Sequence, residues 1–201
     1  EPGSALGLSE LANAYWLTHT ATRDPSYVAK AQEAATKASE LDRELELPHI
    51  VLGIINKEAG RNDMASAELR RALQLNPRSS RAHSSMATYL ASVGRNDDAE
   101  KEFRTAVDLA PENWYSHSQL ASHLTNMGKT DEAKEQYQES IRLSPDNPEP
   151  HNNLGSILVG QGRFAEARAS FEKSIAIEPR YRTYVNLGGV LLREGDLEGA
   201  A

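Results

Sequence analysis

Residues 151–179, HNNLGSILVGQGRFAEARASFEKSIAIEP, decide the fold. The stretch reads as one apolar helix, a turn centred on Gly162, a second apolar helix and a stop at Pro179. Both punctuation marks recur. Gly60, Gly94, Gly128 and Gly162 lie 34 residues apart, and so do Pro77, Pro111, Pro145 and Pro179. A strict period of this length signals a stacked repeat array. Each repeat in such an array contacts only its neighbours, so no central core is expected.

The period sets the element boundaries. First helices are expected at 47–58, 80–93, 114–127 and 148–160, and second helices at 62–75, 96–109, 130–143 and 163–177. Each reversal needs a left-handed residue, which glycine supplies at least cost. Asn62, Asn96 and Thr130 follow as expected N-caps. Asp63, Asp97, Asp98, Asp131 and Glu132 place negative charge at the helix starts, while Arg163 departs from that rule and leaves Glu166 to serve the dipole. Leu75, Leu109, Leu143 and Ile177 each precede a proline by two residues, and proline cannot continue a helix.

The ends are less regular. Ala5 to Leu17 has helical spacing, Thr18 to Ser26 reads as a loop with an Asp-Pro step, and Tyr27 to Leu41 as a helix rich in small residues. Arg43 stands where later repeats have proline. The last repeat is shortened by one residue, since Gly195 follows Gly162 by 33. Its second helix would begin near Asp196 and break off at Ala201. With no initiator Met, the chain reads as a piece of a longer protein.

Composition narrows the function classes. The chain is 39% apolar and 25% charged, as in folded soluble proteins. No apolar run approaches the ~18 residues of a membrane span, so membrane insertion is not expected. The net charge is −7 and no segment is strongly basic. The footprint that nucleic acid requires is therefore missing, and a neutral or basic partner is favoured. Cysteine is absent, which removes disulfides, thiolate metal sites and a Cys nucleophile.

The repeats also share residue types. His49-x2-Leu52-Gly53, His83-x2-Met86-Ala87, His117-x2-Leu120-Ala121 and His151-x2-Leu154-Gly155 open four of them. Asn56, Leu90, Leu124 and Leu158 follow in phase. The second helices carry Ala65-x3-Leu69, Ala99-x3-Phe103, Ala133-x3-Tyr137 and Ala167-x3-Phe171. This pattern closely resembles the tetratricopeptide repeat, W-x2-L-G-x2-Y then A-x3-F then P, with His replacing Trp and Leu or Asn replacing Tyr. The resemblance implies an all-α right-handed superhelical solenoid of stacked antiparallel helix pairs. It forms one array over 1–201, with repeats at 5–45, 46–79, 80–113, 114–147 and 148–181 and a truncated one at 182–201. Small residues at Gly53, Ala87, Ala121 and Gly155 fit where the two helices of a pair approach closely. Leu69, Phe103, Tyr137 and Phe171 fill the space between repeats.

Catalysis has little support. The histidines recur one repeat apart, farther than ~2 Å metal–nitrogen bonds can bridge, and a packing role is expected of them. Asp97-Asp98 and Asp131-Glu132 sit at helix starts and point in different directions. Gly160-Gln161-Gly162 lacks the strand and third glycine of a phosphate loop. No enzyme activity, metal or cofactor is expected.

The resemblance instead implies a peptide-binding groove lined by first helices. Its positions are Trp16 at the start, then Leu47, Ile50 and Ile54, followed by Arg81, Ser84 and Thr88. Tyr115, Ser118, Ser122 and Asn126 continue it, and Asn152, Asn153, Ser156 and Asn186 end it. Asn153 and Asn186 occupy equivalent positions where some family members bind a partner's backbone amides. Chaperone-binding members clamp a terminal carboxylate with lysines, and Ile50, Ser84, Ser118 and Asn152 stand there instead, so that mode is not expected. The expected function is a non-enzymatic scaffold for a protein or peptide partner, within the regulatory or targeting region of a larger protein. The long first joint is similar to arrays on bacterial signalling proteins, and the cytoplasm is the favoured compartment. Two alternatives are a substrate-recruiting array of a glycosyltransferase type and a self-assembly module that associates through open repeat ends.

Overall fold

The computed structural model describes residues 3–195, and every regular element among them is an α-helix. The chain divides into two compact units, one up to Leu109 and one from Ala110. The N-terminal unit holds α1 (Ala5–Thr22), α2 (Ser26–Leu41), α3 (Glu46–Glu58), α4 (Asn62–Leu75), α5 (Ser80–Ser92) and α6 (Asn96–Leu109). The C-terminal unit holds α7 (Trp114–Asn126), α8 (Thr130–Leu143), α9 (Pro148–Gly160), α10 (Phe164–Ile177) and α11 (Tyr181–Glu194). Within each unit the helices pack as consecutive pairs, and each second helix also meets the first helix of the next pair. The second helix expected near Asp196 lies outside the described residues.

The glycine turn works through its backbone. Gly60, Gly94, Gly128 and Gly162 have φ of 70°, 78°, 73° and 72°, the left-handed region that a side chain would strain. The next residue's N–H then reaches five back: Arg61 to Asn56, Arg95 to Leu90, Lys129 to Leu124 and Arg163 to Leu158, each at 2.9 Å. These bonds capture carbonyls that the helix end leaves unpaired. Gly195, at the C-cap of α11, is also left-handed, with φ 82°, despite the shortened spacing.

Two local expectations are corrected. Thr18 to Thr22 are helical, because Thr18, Thr20 and Thr22 donate their hydroxyls to the carbonyls of Ala14, Leu17 and Thr18 at 2.9, 2.7 and 2.8 Å. These internal bonds compensate their β-branched cost, so α1 runs on to Thr22, with Arg23 as its left-handed C-cap. Asn62 and Thr130 are not caps but the first helical residues; Arg61 and Lys129 stand at the cap position, and neither side chain caps the helix. Asn96 likewise opens α6. The glycine turn delivers the following residue's carbonyl directly to the helix, as when Ala65 N–H donates to Arg61 O at 2.9 Å. True side-chain caps occur at first helices instead, on Ser79, Asn113 and Asn147.

The close approach expected within pairs is present. A Cβ on Gly53 would stand 2.6 Å from Leu69 Cγ, and one on Gly155 would stand 2.7 Å from Phe171 Cε1. In the N-terminal unit, Ala12, Ala31, Ala34, Ala35, Val51 and Ile55 form one buried cluster. In the C-terminal unit, Phe171 packs with Leu158, Ala167 and Val190, joining α9, α10 and α11.

Candidate protein-binding face

The recurring histidine does more than fill an aromatic slot. Its Nδ1 faces the second helix of the same pair, 19 residues on: His49 meets Glu68 at 2.7 Å, His83 meets Glu102 at 2.5 Å and His117 meets Gln136 at 2.8 Å. Nε2 of His83, His117 and His151 donates to the carbonyl of the proline six residues earlier, at 3.1, 2.9 and 3.1 Å. One ring thus ties a first helix to its partner and to the preceding turn. Serines add a second tie: Ser140 Oγ donates to Trp114 O and Ser174 Oγ to Pro148 O, both at 2.9 Å.

In the C-terminal unit the first-helix faces carry a connected polar cluster. Asn186 Nδ2 donates to Asn152 Oδ1 at 3.0 Å, and Asn152 Nδ2 donates to Asn153 Oδ1 at 3.3 Å. The Tyr137 hydroxyl, from α8, faces the side chains of Thr125, Ser122 and Asn153; burial raises its pKa above the usual phenol value, against the effect of those three polar groups. Four helices, α7, α8, α9 and α11, therefore contribute to one network. Beside it lies a cleft of about 200 Å³ lined by Pro148, Glu149, Asn152, Asn153, Ser174, Arg180, Arg182 and Thr183. Arg180 is held by Glu149 at 3.0 Å and Glu178 at 2.8 Å. Arg182 has no carboxylate partner among the described residues, and its charge opposes the rise that burial gives Tyr137. A second hollow of about 260 Å³ lies between α9, α10 and α11, with Ser156, Val159, Val185, Asn186 and Arg193 on its wall.

Family models match the chain three times. The description "Tetratricopeptide repeat" matches residues 52–114 and 148–181, and "TPR repeat" matches 123–162. The chain belongs to the tetratricopeptide repeat family. No curated protein matches the sequence significantly. Solved structures share the tetratricopeptide fold. PilW, described as a widely conserved type IV pilus biogenesis factor, superposes with a TM-score of 0.82 at 17% identity, covering 98% of this chain and 88% of its own. Pseudomonas aeruginosa PilF gives 0.77 at 21% identity, covering 96% and 89%. YrrB, described as a TPR protein with an unusual peptide-binding site, gives 0.65 at 22% identity, covering 84% and 88%.

The tetratricopeptide groove positions named from sequence fall into three groups. Ile50 is 1% exposed and packs on Ala72 and Ala82, so its side chain is interior and not a surface contact. Ser84 and Asn152 are also buried, at 7% and 6% exposure; Ser84 Oγ has no hydrogen-bond partner among the described residues. Trp16, Leu47, Ile54, Thr88, Ser118, Asn153 and Asn186 are half-buried, and Trp16 and Leu47 lean on the α1–α3 cluster. Arg81, Tyr115, Ser122, Asn126 and Ser156 are exposed. Asn186 bonds Asn152 rather than its repeat equivalent Asn153. Sequence reading assigned Tyr137 to packing alone. The available signal was its hydroxyl, in a slot that elsewhere holds Leu69, Phe103 and Phe171.

Proposed function

We propose that this chain is a non-catalytic protein-binding scaffold that holds an extended partner segment against the first-helix face of its C-terminal unit. One observation carries the reading: the Asn152–Asn153–Asn186 amide cluster, joined by Tyr137 and bordering the cleft with Arg182. Carboxamides offer both donors and acceptors, which suits the backbone groups of an extended peptide. Arg182 adds a cation available to an acidic or carbonyl group of the partner. Among the described residues no helix is long and apolar enough to cross a membrane. We infer that the array serves a regulatory or targeting role.

Selection of a displayed random-peptide library on the chain tests this reading. Recovered peptides are expected to lose about tenfold in affinity, worth ~1.4 kcal/mol, when Asn186→Ala is introduced. Thermal unfolding of the variant checks that the fold is kept. Binders that tolerate both Asn186→Ala and Arg182→Ala without loss would refute the site.

A further inference from the structure

Four pairs, α3–α4 to α9–α10, carry a histidine in the first helix, and the residue 19 positions on, in the second helix, changes along the chain: Glu68, Glu102, Gln136, Ser170. The slot loses its charge towards the C-terminal unit. At His83 both ring nitrogens meet groups that only accept, Glu102 Oε2 at 2.5 Å and Pro77 O at 3.1 Å. Satisfying both requires N–H on both nitrogens, which is the imidazolium. Several other charges on the helices packed around α5 have partners of their own, and none of the remaining ones, Asp63 and Arg70 on α4 and Asp97 and Asp108 on α6, acts on the His83 ring. On α6, Asp98 is held by Arg95 and Lys101, and Glu100 by Arg104. On α4, Glu68 bonds His49 and Arg71 reaches Glu44; on α3, Lys57 pairs with Glu58. Glu102 is the charge that acts on His83, and it raises the pKa of the ring against the opposing effect of burial.

His151 has the reverse surroundings. One N–H on Nε2 serves Pro145 O, and Nδ1 has no hydrogen-bond partner among the described residues. Ser170 turns its hydroxyl to Glu166 O. From α8, Arg142 is paired with Glu139 and Glu112; from α11, Glu194 meets Arg168. Burial, and then the positive charge of Lys173 on α10, lower the pKa of the ring, against the Pro145 bond.

We propose that the histidine row is a pH device of two signs, in which protonation fastens the α5–α6 pair through His83 and loosens the α9–α10 pair through His151. The His83 contribution is complete below the free-ring pKa of ~6.5 and fades as pH rises through the folded value. The His151 contribution is complete above ~6.5 and fades as pH falls through its lower folded value. Because Asn152 and Asn153 directly follow His151, acid would also weaken the proposed binding face; that consequence rests on the function proposed above, while the device does not.

Amide hydrogen exchange on the full chain, corrected for intrinsic rates, tests the device between about pH 7.5 and about pH 5.5. Protection relative to the rest of its unit is expected to rise over residues 80–109 and fall over 148–177, each about threefold or more. Ring titration by NMR should place the His83 midpoint above that of histidine in a short peptide, and the His151 midpoint below it. Ser170→Glu gives His151 the missing carboxylate and should reverse the response of 148–177. The same sign of change in both segments, coincident midpoints, or an unchanged response in Ser170→Glu would overturn the proposal.

Discussion

A methyl group added to Gly155 gives the sharpest test of the pair packing. It would meet Phe171 Cε1, Cδ1 and Cζ at 2.7, 2.8 and 2.9 Å. These atoms belong to a ring that is 1% exposed and held by Leu158, Ala167 and Val190, so it cannot swing aside. Overpacking of this kind costs ~1–3 kcal/mol. Replacing a helical glycine with alanine returns about 1 kcal/mol through helix propensity. Gly155→Ala should therefore lose about 1 kcal/mol net, read by urea unfolding with the denaturant slope checked for constancy. Gly189→Ala is the contrast, because its added Cβ meets only the flexible end of Arg193, at 3.5 Å. That variant should gain ~0.5–1 kcal/mol. A Gly155→Ala protein as stable as Gly189→Ala would refute the reasoning. It would mean that α9 and α10 can move apart at no cost.

Two further substitutions probe the N-terminal unit. Ser84→Ala removes a buried hydroxyl that has no partner, so it should be neutral or raise stability by up to ~1 kcal/mol; a clear loss in urea unfolding would show that the hydroxyl is satisfied. Phe103→Ala should lose roughly 3–5 kcal/mol, as for any large buried ring, and a loss under ~1 kcal/mol would contradict its burial.

The features legible in the sequence are those fixed by a residue and its immediate chain. A left-handed glycine and a proline stop are backbone properties, and the helices of the regular repeats begin and end within one residue of where that punctuation puts them. Local propensity misled where a side chain could bond its own helix: Thr18, Thr20 and Thr22 looked like a loop and are held by their own carbonyls. The repeat phase placed Ile50 on the first-helix face but could not show that the face closes there. Ala72 and Ala82 are small enough to bring α4 and α5 over it.

The candidate site was harder to read for a related reason. The pairing of His83 with Glu102 depends on the register between two helices, which a period of 34 repeats faithfully without revealing. Tyr137 shares a slot with two phenylalanines and a leucine, and only its position among Ser122, Thr125 and Asn153 gives the hydroxyl a use. That hydroxyl is also what makes the asparagines more than a solvated row. Tied to α8 through Asn153 and to α11 through Asn186, the amides of α9 are held before any partner arrives. Less side-chain freedom is then lost on binding, and each hydrogen bond to a partner contributes more of its strength.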